Sequence, residues 1–334
     1  MNPDLKIAIL LPAYNEEKTI ATTVKDFHFH LPQASIVVID NGSTDKTQPL
    51  VKEVFQTEKI KGKILFEPQK GKAFAVRRGI LQTKADIFLM ADADNTYPAA
   101  DAKELLTPIW NNQADMVVGN RNHQGIYQKK NKRRFHFFGN SMVRSLVNFL
   151  FAAKLNDIMS GYRAFHRSFI ELYPNLSQGF ELETDLTLFA LDKRFRIQEV
   201  PIHYQERPEG SLSKLSTFRD GARVLFCIAQ ILRYYRPFFF FTCLSFAIGF
   251  LGLIAAYPVF WDWFSYRYIY HIPLAILASS LELVALIAFA MGLILDAISR
   301  HSKVDFEYRY QKSLKFLKKN KKNTSHLAKK KEKK

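Results

Sequence analysis

Short apolar runs alternate with amphipathic stretches through the first third of the chain. Lys6-Ile7-Ala8-Ile9-Leu10-Leu11 stops at Pro12-Ala13-Tyr14-Asn15-Glu16-Glu17, and a helix is predicted from there to about Phe29. Ser35-Ile36-Val37-Val38-Ile39 reads as a second strand, closed by Asp40-Asn41-Gly42-Ser43-Thr44-Asp45, where Thr44 or Ser43 can cap the next helix. Lys63-Ile64-Leu65-Phe66 is a third strand, Gly71 to Thr83 a helix, Ile87 to Ala91 a fourth strand and Asp115-Met116-Val117-Val118 a fifth. Strands alternating with helices predict βαβ units, hence an α/β fold with a mostly parallel sheet. Strands one, two and four end in polar turns, all on the edge where open α/β sheets bind ligands.

The second half is different. Ser213 to Tyr235 has Val224, Leu225, Ile228, Ile231 and Leu232 at helical spacing, with Arg219, Arg223, Arg233 and Arg236 for charge. It suits a helix lying in a membrane interface or an amphipathic helix packed on a core. Pro237 to Trp261 carries no charge, and Ile272 to Leu295 carries only Glu282. Each is long enough to cross a bilayer at about 20 apolar residues per crossing. The aromatic stretch from Trp261 to Tyr268 between them reads as an interfacial belt. Arg233 and Arg236 before the first span, and Arg300, Lys303 and the lysine-rich end after the second, place both ends in the cytosol by the positive-inside rule. The organisation expected is 1–212 as a cytosolic catalytic domain, 213–236 as a juxtamembrane helix, 237–298 as a two-helix hairpin and 299–334 as a basic cytosolic tail, lysine-dense and disordered from Lys315 to Lys334. Glu282 falls near mid-bilayer, where a carboxyl is expected neutral or paired with a hydroxyl, within the hairpin or between subunits, leaving a homo-oligomer open.

Asp92 and Asp94 follow the fourth strand two positions apart, so they share one face. Converging carboxylates repel unless a cation lies between them. A hard divalent ion, Mg2+ or Mn2+, takes oxygen ligands and leaves positions for substrate phosphate. Taken alone, so short a pattern favours an ordinary polar turn. In Lys70-Gly71-Lys72, a glycine at a helix start lets N–H groups approach an anion, while an ordinary capped basic helix explains it equally.

The formal net charge of +17 favours an anionic partner: nucleic acid, a membrane surface or a phosphorylated substrate. Arg121, Lys129 to Arg134 and Phe135, Phe137 and Phe138 form a basic, aromatic segment suited to an anionic bilayer face. No nucleic-acid-binding signature accompanies it, so nucleic acid is not an expected partner. Cys227 and Cys243 lie in apolar surroundings and form no metal or redox motif. The N-terminus lacks the layout of a signal peptide.

Pro12-Ala13-Tyr14-Asn15-Glu16, Val38 to Asp45 and Asp92-Ala93-Asp94 resemble the nucleotide-sugar half of a family 2 inverting glycosyltransferase. Asp157 to Arg163, Gly179 to Leu186, Val200 to Arg207 and Gly210 to Leu215 resemble the acceptor half of the branch that glycosylates polyprenyl phosphates, the dolichol-phosphate mannose synthases among them. The motifs occur in family order over about residues 5 to 235. The resemblance implies a GT-A, Rossmann-like fold and transfer of a hexose or N-acetylhexosamine from a nucleotide-diphosphate sugar, UDP favoured over GDP, to a dolichyl or undecaprenyl phosphate with inversion. By the same resemblance Pro12, Tyr14, Glu16 and Asp40 line the nucleoside pocket. Lys72, Asp92, Arg163 and Ser213 join the donor-binding set, and Asp94, supported by Asp92, holds the metal. Arg207 and Lys214 hold phosphate oxygens, Arg163 holds phosphate or braces its loop, and Asp157 is the base if one exists. Relatives often carry Asp where this chain has Asn41. Two rivals stand beside this reading. One is a processive polysaccharide synthase, whose Gln-x-x-Arg-Trp motif is mimicked by Gln230-Ile231-Leu232-Arg233-Tyr234. The other is a non-catalytic membrane protein that binds nucleotide sugar.

Overall fold

The computed structural model describes residues 5–122, 134–174, 182–204 and 217–331, with backbone alone for 134–138, 217–224 and 313–331. Arg207, Ser213 and Lys214 lie outside the described residues, as do Glu181 and Lys129 to Arg133. The chain divides into two units, Met1–Gly221 and Ala222–Lys334.

The first unit is built on a seven-stranded sheet ordered β3-β2-β1-β4-β6-β5-β7. Its strands are β1 (Ile7–Ala13), β2 (Ser35–Asp40), β3 (Gly62–Phe66), β4 (Ile87–Met90), β5 (Met116–Asn120), β6 (Arg163–His166) and β7 (Ile197–Pro201). Between them run α1 (Ile20–His30), α2 (Thr47–Thr57), α3 (Lys72–Leu81), α4 (Ala102–Trp110), α5 (Arg134–Phe151) and α6 (Leu182–Asp192). The pairs β1–β2, β2–β3, β1–β4 and β5–β7 are parallel, while β6 runs antiparallel between β4 and β5. This is the expected fold class. β1, β2 and β4 read as near-continuous apolar runs because helices cover both faces. Ile20, Val24 and Phe27 of α1 join the strand residues in the core. A fully buried phenylalanine such as Phe27 contributes about 2–3 kcal/mol as an upper figure.

Register decides where the polar turns meet. Ala13 pairs with Asp40 and Leu10 with Met90, so the turns after β1, β2 and β4 are neighbours. The order reverses at β1, with β2 on one side and β4 on the other, which opens a crevice at those strand ends. Two antiparallel pairings in succession restore the direction of β4 in β5, so Asn120 also ends on this edge and β6 begins there. Asp45, rather than Thr44 or Ser43, supplies the oxygen at the start of α2, accepting from the Thr47 N–H (2.9 Å) and hydroxyl (2.6 Å).

The second unit holds α8 (Pro237–Tyr266) and α9 (Ile272–Lys331), preceded by α7 (Thr217–Tyr235), which begins before the boundary between the units. Two of these helices are long and apolar enough to cross a membrane, over Pro237–Tyr266 and Ile272–Lys312. They are not core helices of a water-soluble fold, since side chains such as Phe246, 74% exposed, cover their outer faces. They pack antiparallel: Phe238 meets Phe289, the Ser245 hydroxyl donates to the Ala285 carbonyl (2.8 Å), and Asp262 accepts from the N–H groups of Tyr270 and His271. Glu282 lies against Gly252 of α8, in a notch within the hairpin rather than across a hydroxyl contact; a Cβ on Gly252 would sit 2.6 Å from its Oε1. α9 runs on past the apolar span, with Asp296–Arg300, Phe306–Tyr310 and Glu307–Gln311 paired one turn apart. Its backbone stays helical to Lys331, through most of the stretch from Lys315 expected to be disordered.

Candidate active site

The turns after β1 and β2 are tied together. The Ser43 hydroxyl accepts from the Asn15 N–H (3.0 Å), and the Asn15 side-chain oxygen accepts from the Thr44 N–H (2.8 Å). Asn15 sits in the left-handed region at φ 56°, which asparagine tolerates. Asp40 is buried and accepts from the Ser43 N–H. Tyr14 stands half exposed beside Lys70, and Glu16 takes the Thr19 hydroxyl. Asn41 bridges to the next loop: its amide donates to the carbonyls of Glu67 (3.0 Å) and Gln69 (2.6 Å), and its oxygen accepts from the Gly71 N–H (2.7 Å). An aspartate could make only the last of these. Gly71, at φ 134°, then turns the chain into α3.

The first residue of that helix is Lys72. Its ammonium contacts Asp92 and lies 2.5 Å from Glu183 of α6. Burial pulls the Lys72 pKa down, but Asp92 and Glu183 more than offset it, holding the group charged well above its ordinary range. Burial raises Glu183 and Lys72 outweighs this, so its carboxyl stays ionised below the usual range. Gly161 packs over the pair; a Cβ there would lie 2.9 Å from the Lys72 nitrogen and 3.1 Å from Asp92. Asp94 is buried and accepts from the Thr96 hydroxyl (2.6 Å) and N–H (3.2 Å), across a turn with Asn95 at φ 61°.

A divalent ion fits this donor set. Asp92 and Asp94 offer hard oxygens at one strand end. Among the described residues no group of three or more His, Cys, Asp or Glu is arranged to hold a metal, so further ligands fall to substrate phosphate and water, the usual pattern for Mg2+ and Mn2+.

Beyond β5 lies a second polar region. Arg121 grips Asp157 through Nε (2.7 Å) and Nη2 (2.9 Å), and its N–H adds a third bond. A cleft beside this pair is lined by Asn122, Asn140, Ser141, Arg144 and Asn156. Arg144 reaches the Ser141 hydroxyl and the Asn156 carbonyl, both at 3.2 Å. Two arginines and short polar side chains around one neutralised carboxylate suit an anion. Arg121 and Arg144 were not singled out from sequence as site residues, Arg121 being counted only with the basic membrane segment. Arg121 does follow a strand directly, as Asp92 does, and that placement is the signal that points to it.

Arg163, expected to hold phosphate or to brace its loop, lies under the segment from Ile158 to Gly161. It is wholly buried, and its guanidinium donates to the carbonyls of Ser160 and Ile158 (both 2.7 Å) and to the Thr187 hydroxyl (2.9 Å). Burial lowers its pKa to about 10. Asp157, expected as the base if one exists, is held in the fork of Arg121. Tyr97 connects the two regions: its oxygen accepts from the Gly161 N–H (2.9 Å), and its ring meets those of Tyr162 and Tyr204. Asp101 anchors His203 through its N–H (2.7 Å) and Nδ1 (3.1 Å), just before residues 205–216.

Residues 8–173 match the family model described as glycosyl transferase family 2. The chain is 31% identical over 297 residues to the glycosyltransferase AglJ of Haloferax volcanii, covering 87% of this chain and 93% of that protein. It is 25% identical over 229 residues to the dolichyl-phosphate beta-glucosyltransferase of Saccharomyces cerevisiae, covering 61% of this chain and 68% of that protein. The fold matches glucosyl-3-phosphoglycerate synthase from Mycobacterium tuberculosis, solved with Mn2+, UDP-glucose and phosphoglyceric acid, with a TM-score of 0.52 at 20% identity over 69% of this chain and 79% of that one.

Proposed function

The chain belongs to glycosyl transferase family 2, and from that premise we propose that it transfers a hexose or N-acetylhexosamine from a nucleoside-diphosphate sugar to a polyprenyl phosphate, inverting the anomeric carbon. One observation carries this reading. The carboxylate pair Asp92 and Asp94 and the arginine-lined cleft at Arg121 and Arg144 stand on the same edge of the sheet. A donor diphosphate suits the first and an acceptor phosphate the second. The dolichyl-phosphate beta-glucosyltransferase among the relatives points to the same acceptor class.

The acceptor is a phosphate monoester with a second pKa of about 6, so it is already an oxyanion at neutral pH. Its oxygen attacks the anomeric carbon from the face opposite the diphosphate. A bond from the anomeric carbon to an oxygen of the acceptor phosphate forms as the bond from that carbon to the diphosphate oxygen breaks, and the nucleoside diphosphate leaves with the electron pair. No proton is removed, so no general base is required. Pro12, Tyr14, Glu16 and Asp40 border the nucleoside. Arg121 and Arg144 orient the attacking phosphate, joined by Arg207 and Lys214 of the acceptor motifs, with Ser213 towards the donor. A bound Mg2+ or Mn2+, held by Asp94 with Asp92, would neutralise charge on the departing diphosphate.

The hairpin anchors the enzyme where its lipid substrate lies. Arg233 and Arg236 before the first span and Arg300 and Lys303 after the second support a cytosolic side for the catalytic unit and for the segment after the hairpin, by the positive-inside rule. A hairpin of two spans makes a poor channel for a growing polymer, which weighs against a processive synthase.

The acceptor claim is tested with purified full-length protein in detergent, Mn2+ and labelled UDP-sugars, offered either a polyprenyl phosphate or the matching polyprenol. Label in the phosphate product alone supports the reading. Equal transfer to the alcohol overturns it.

A further inference from the structure

Lys72 and Glu183 are 111 positions apart in sequence, yet they form an ion pair beside the proposed metal ligands. Lys72 is shared: one carboxylate, Glu183, belongs to α6, and the other, Asp92, belongs to the strand-end pair. Glu183 is the more enclosed of the two carboxylates, its side chain 11% exposed against 26% for Asp92. Lys72 opens α3, whose N-terminal N–H groups already favour an anion, and Gly71 brings the backbone close. Gly161 leaves the ammonium room, since a Cβ at that position would be only 2.9 Å from it.

The charges make this arrangement conditional. Asp92, Glu183 and the neighbouring Asp94 set three carboxyl groups against the one ammonium of Lys72, and a donor diphosphate arriving alone would add negative charge. A divalent cation that engages Asp92 competes with Lys72 for the same carboxylate. Once displaced, the ammonium keeps Glu183 and faces a new anion.

We propose that Glu183 is a positioning residue that retains Lys72 when a divalent cation takes Asp92, so that the ammonium is handed from Asp92 to the donor diphosphate and metal and donor binding are coupled. This rests on reading the strand-end crevice as a nucleoside-diphosphate site. A buried pair with a purely structural role would leave donor and metal affinities independent of each other.

The test uses full-length protein in detergent with MnCl2 and UDP as probes, read by calorimetry and by the Mn2+ paramagnetic signal, without sugar transfer. In Lys72→Met, Mn2+ alone should bind about threefold tighter, because Asp92 is released, while UDP at saturating Mn2+ binds about tenfold weaker. In Glu183→Gln, UDP at saturating Mn2+ should also bind about tenfold weaker, although the site has lost a negative charge, because nothing then retains the Lys72 ammonium beside the diphosphate once Mn2+ holds Asp92. Simple charge removal gives the opposite sign. UDP binding that is unchanged or tighter in Glu183→Gln overturns the proposal, as does Mn2+ binding that is no tighter in Lys72→Met. Glu183→Gln preserves shape, and a thermal melt matching the parent shows that the fold survives. Failure of wild-type transfer with these binding shifts intact would sink the transferase reading and leave this coupling standing.

Discussion

Arg121 holds Asp157 in a two-pronged grip, Nε to Oδ2 at 2.7 Å and Nη2 to Oδ1 at 2.9 Å. A carboxylate so held fixes the orientation of the arginine. Asp157→Asn should therefore lower turnover by roughly 30-fold, about 2 kcal/mol, by loosening Arg121. The acidic limb of the kcat profile, set near pH 6 by the acceptor phosphate, should stay in place. A pH profile that loses this limb, with turnover down more than about a thousandfold, would make Asp157 the base.

Asn41, directly after β2, bridges to the Glu67–Gly71 loop in both senses, donating twice and accepting once. Asn41→Asp loses both donated bonds and turns a carboxylate towards carbonyl oxygens. The expected cost is about 1–3 kcal/mol of stability, with a donor KM raised severalfold and an unchanged acceptor KM, because Lys72 follows this loop directly. Steady-state kinetics with each substrate varied in turn checks the split.

Sequence patterning reveals β1 to β5 because each is an apolar run ended by turn residues. β6 escapes it. The strand is four residues long, opens with a charged arginine, and exists because β4 and β5 flank it. The carboxylate pair at Asp92 and Asp94 is visible in a short window, whereas the Lys72–Glu183 contact joins distant segments and has no local signature. The helical continuation of α9 is hidden by its lysine content, which suggests a solvated tail while the one-turn pairs support a helix.

Arg163 carries a buried charge satisfied by two carbonyls and a hydroxyl. Lysine cannot reproduce that planar fork. Arg163→Lys should cost about 3 kcal/mol, seen as a lower Tm of the full chain in detergent, while nucleotide affinity of the folded fraction stays near the parent value. A large drop in UDP affinity with an unchanged Tm would return Arg163 to the phosphate-binding set.

The His203–Asp101 contact gives a pH dependence of known sign. The hydrogen bond and charge of Asp101 raise the His203 pKa above its ordinary 6.5. A raised folded-state pKa means the contact's contribution is fully present below about 6.5 and fades as pH rises through the shifted value. At 75% exposure the energetic effect is small. An imidazole NMR titration should show the elevated value in the parent and a return towards 6.5 in Asp101→Asn. Identical titrations would remove the pairing.

The central claim is that the Asp92–Asp94 edge of the sheet loads a nucleoside-diphosphate sugar for transfer to a lipid phosphate. Purified protein in detergent with Mn2+, a polyprenyl phosphate and a panel of labelled UDP- and GDP-sugars tests it most directly, beside an Asp94→Asn variant. The account expects label in a lipid-phosphate product from one donor, lost on chelation and lost in a folded Asp94→Asn protein. Transfer that survives both chelation and Asp94→Asn would contradict it.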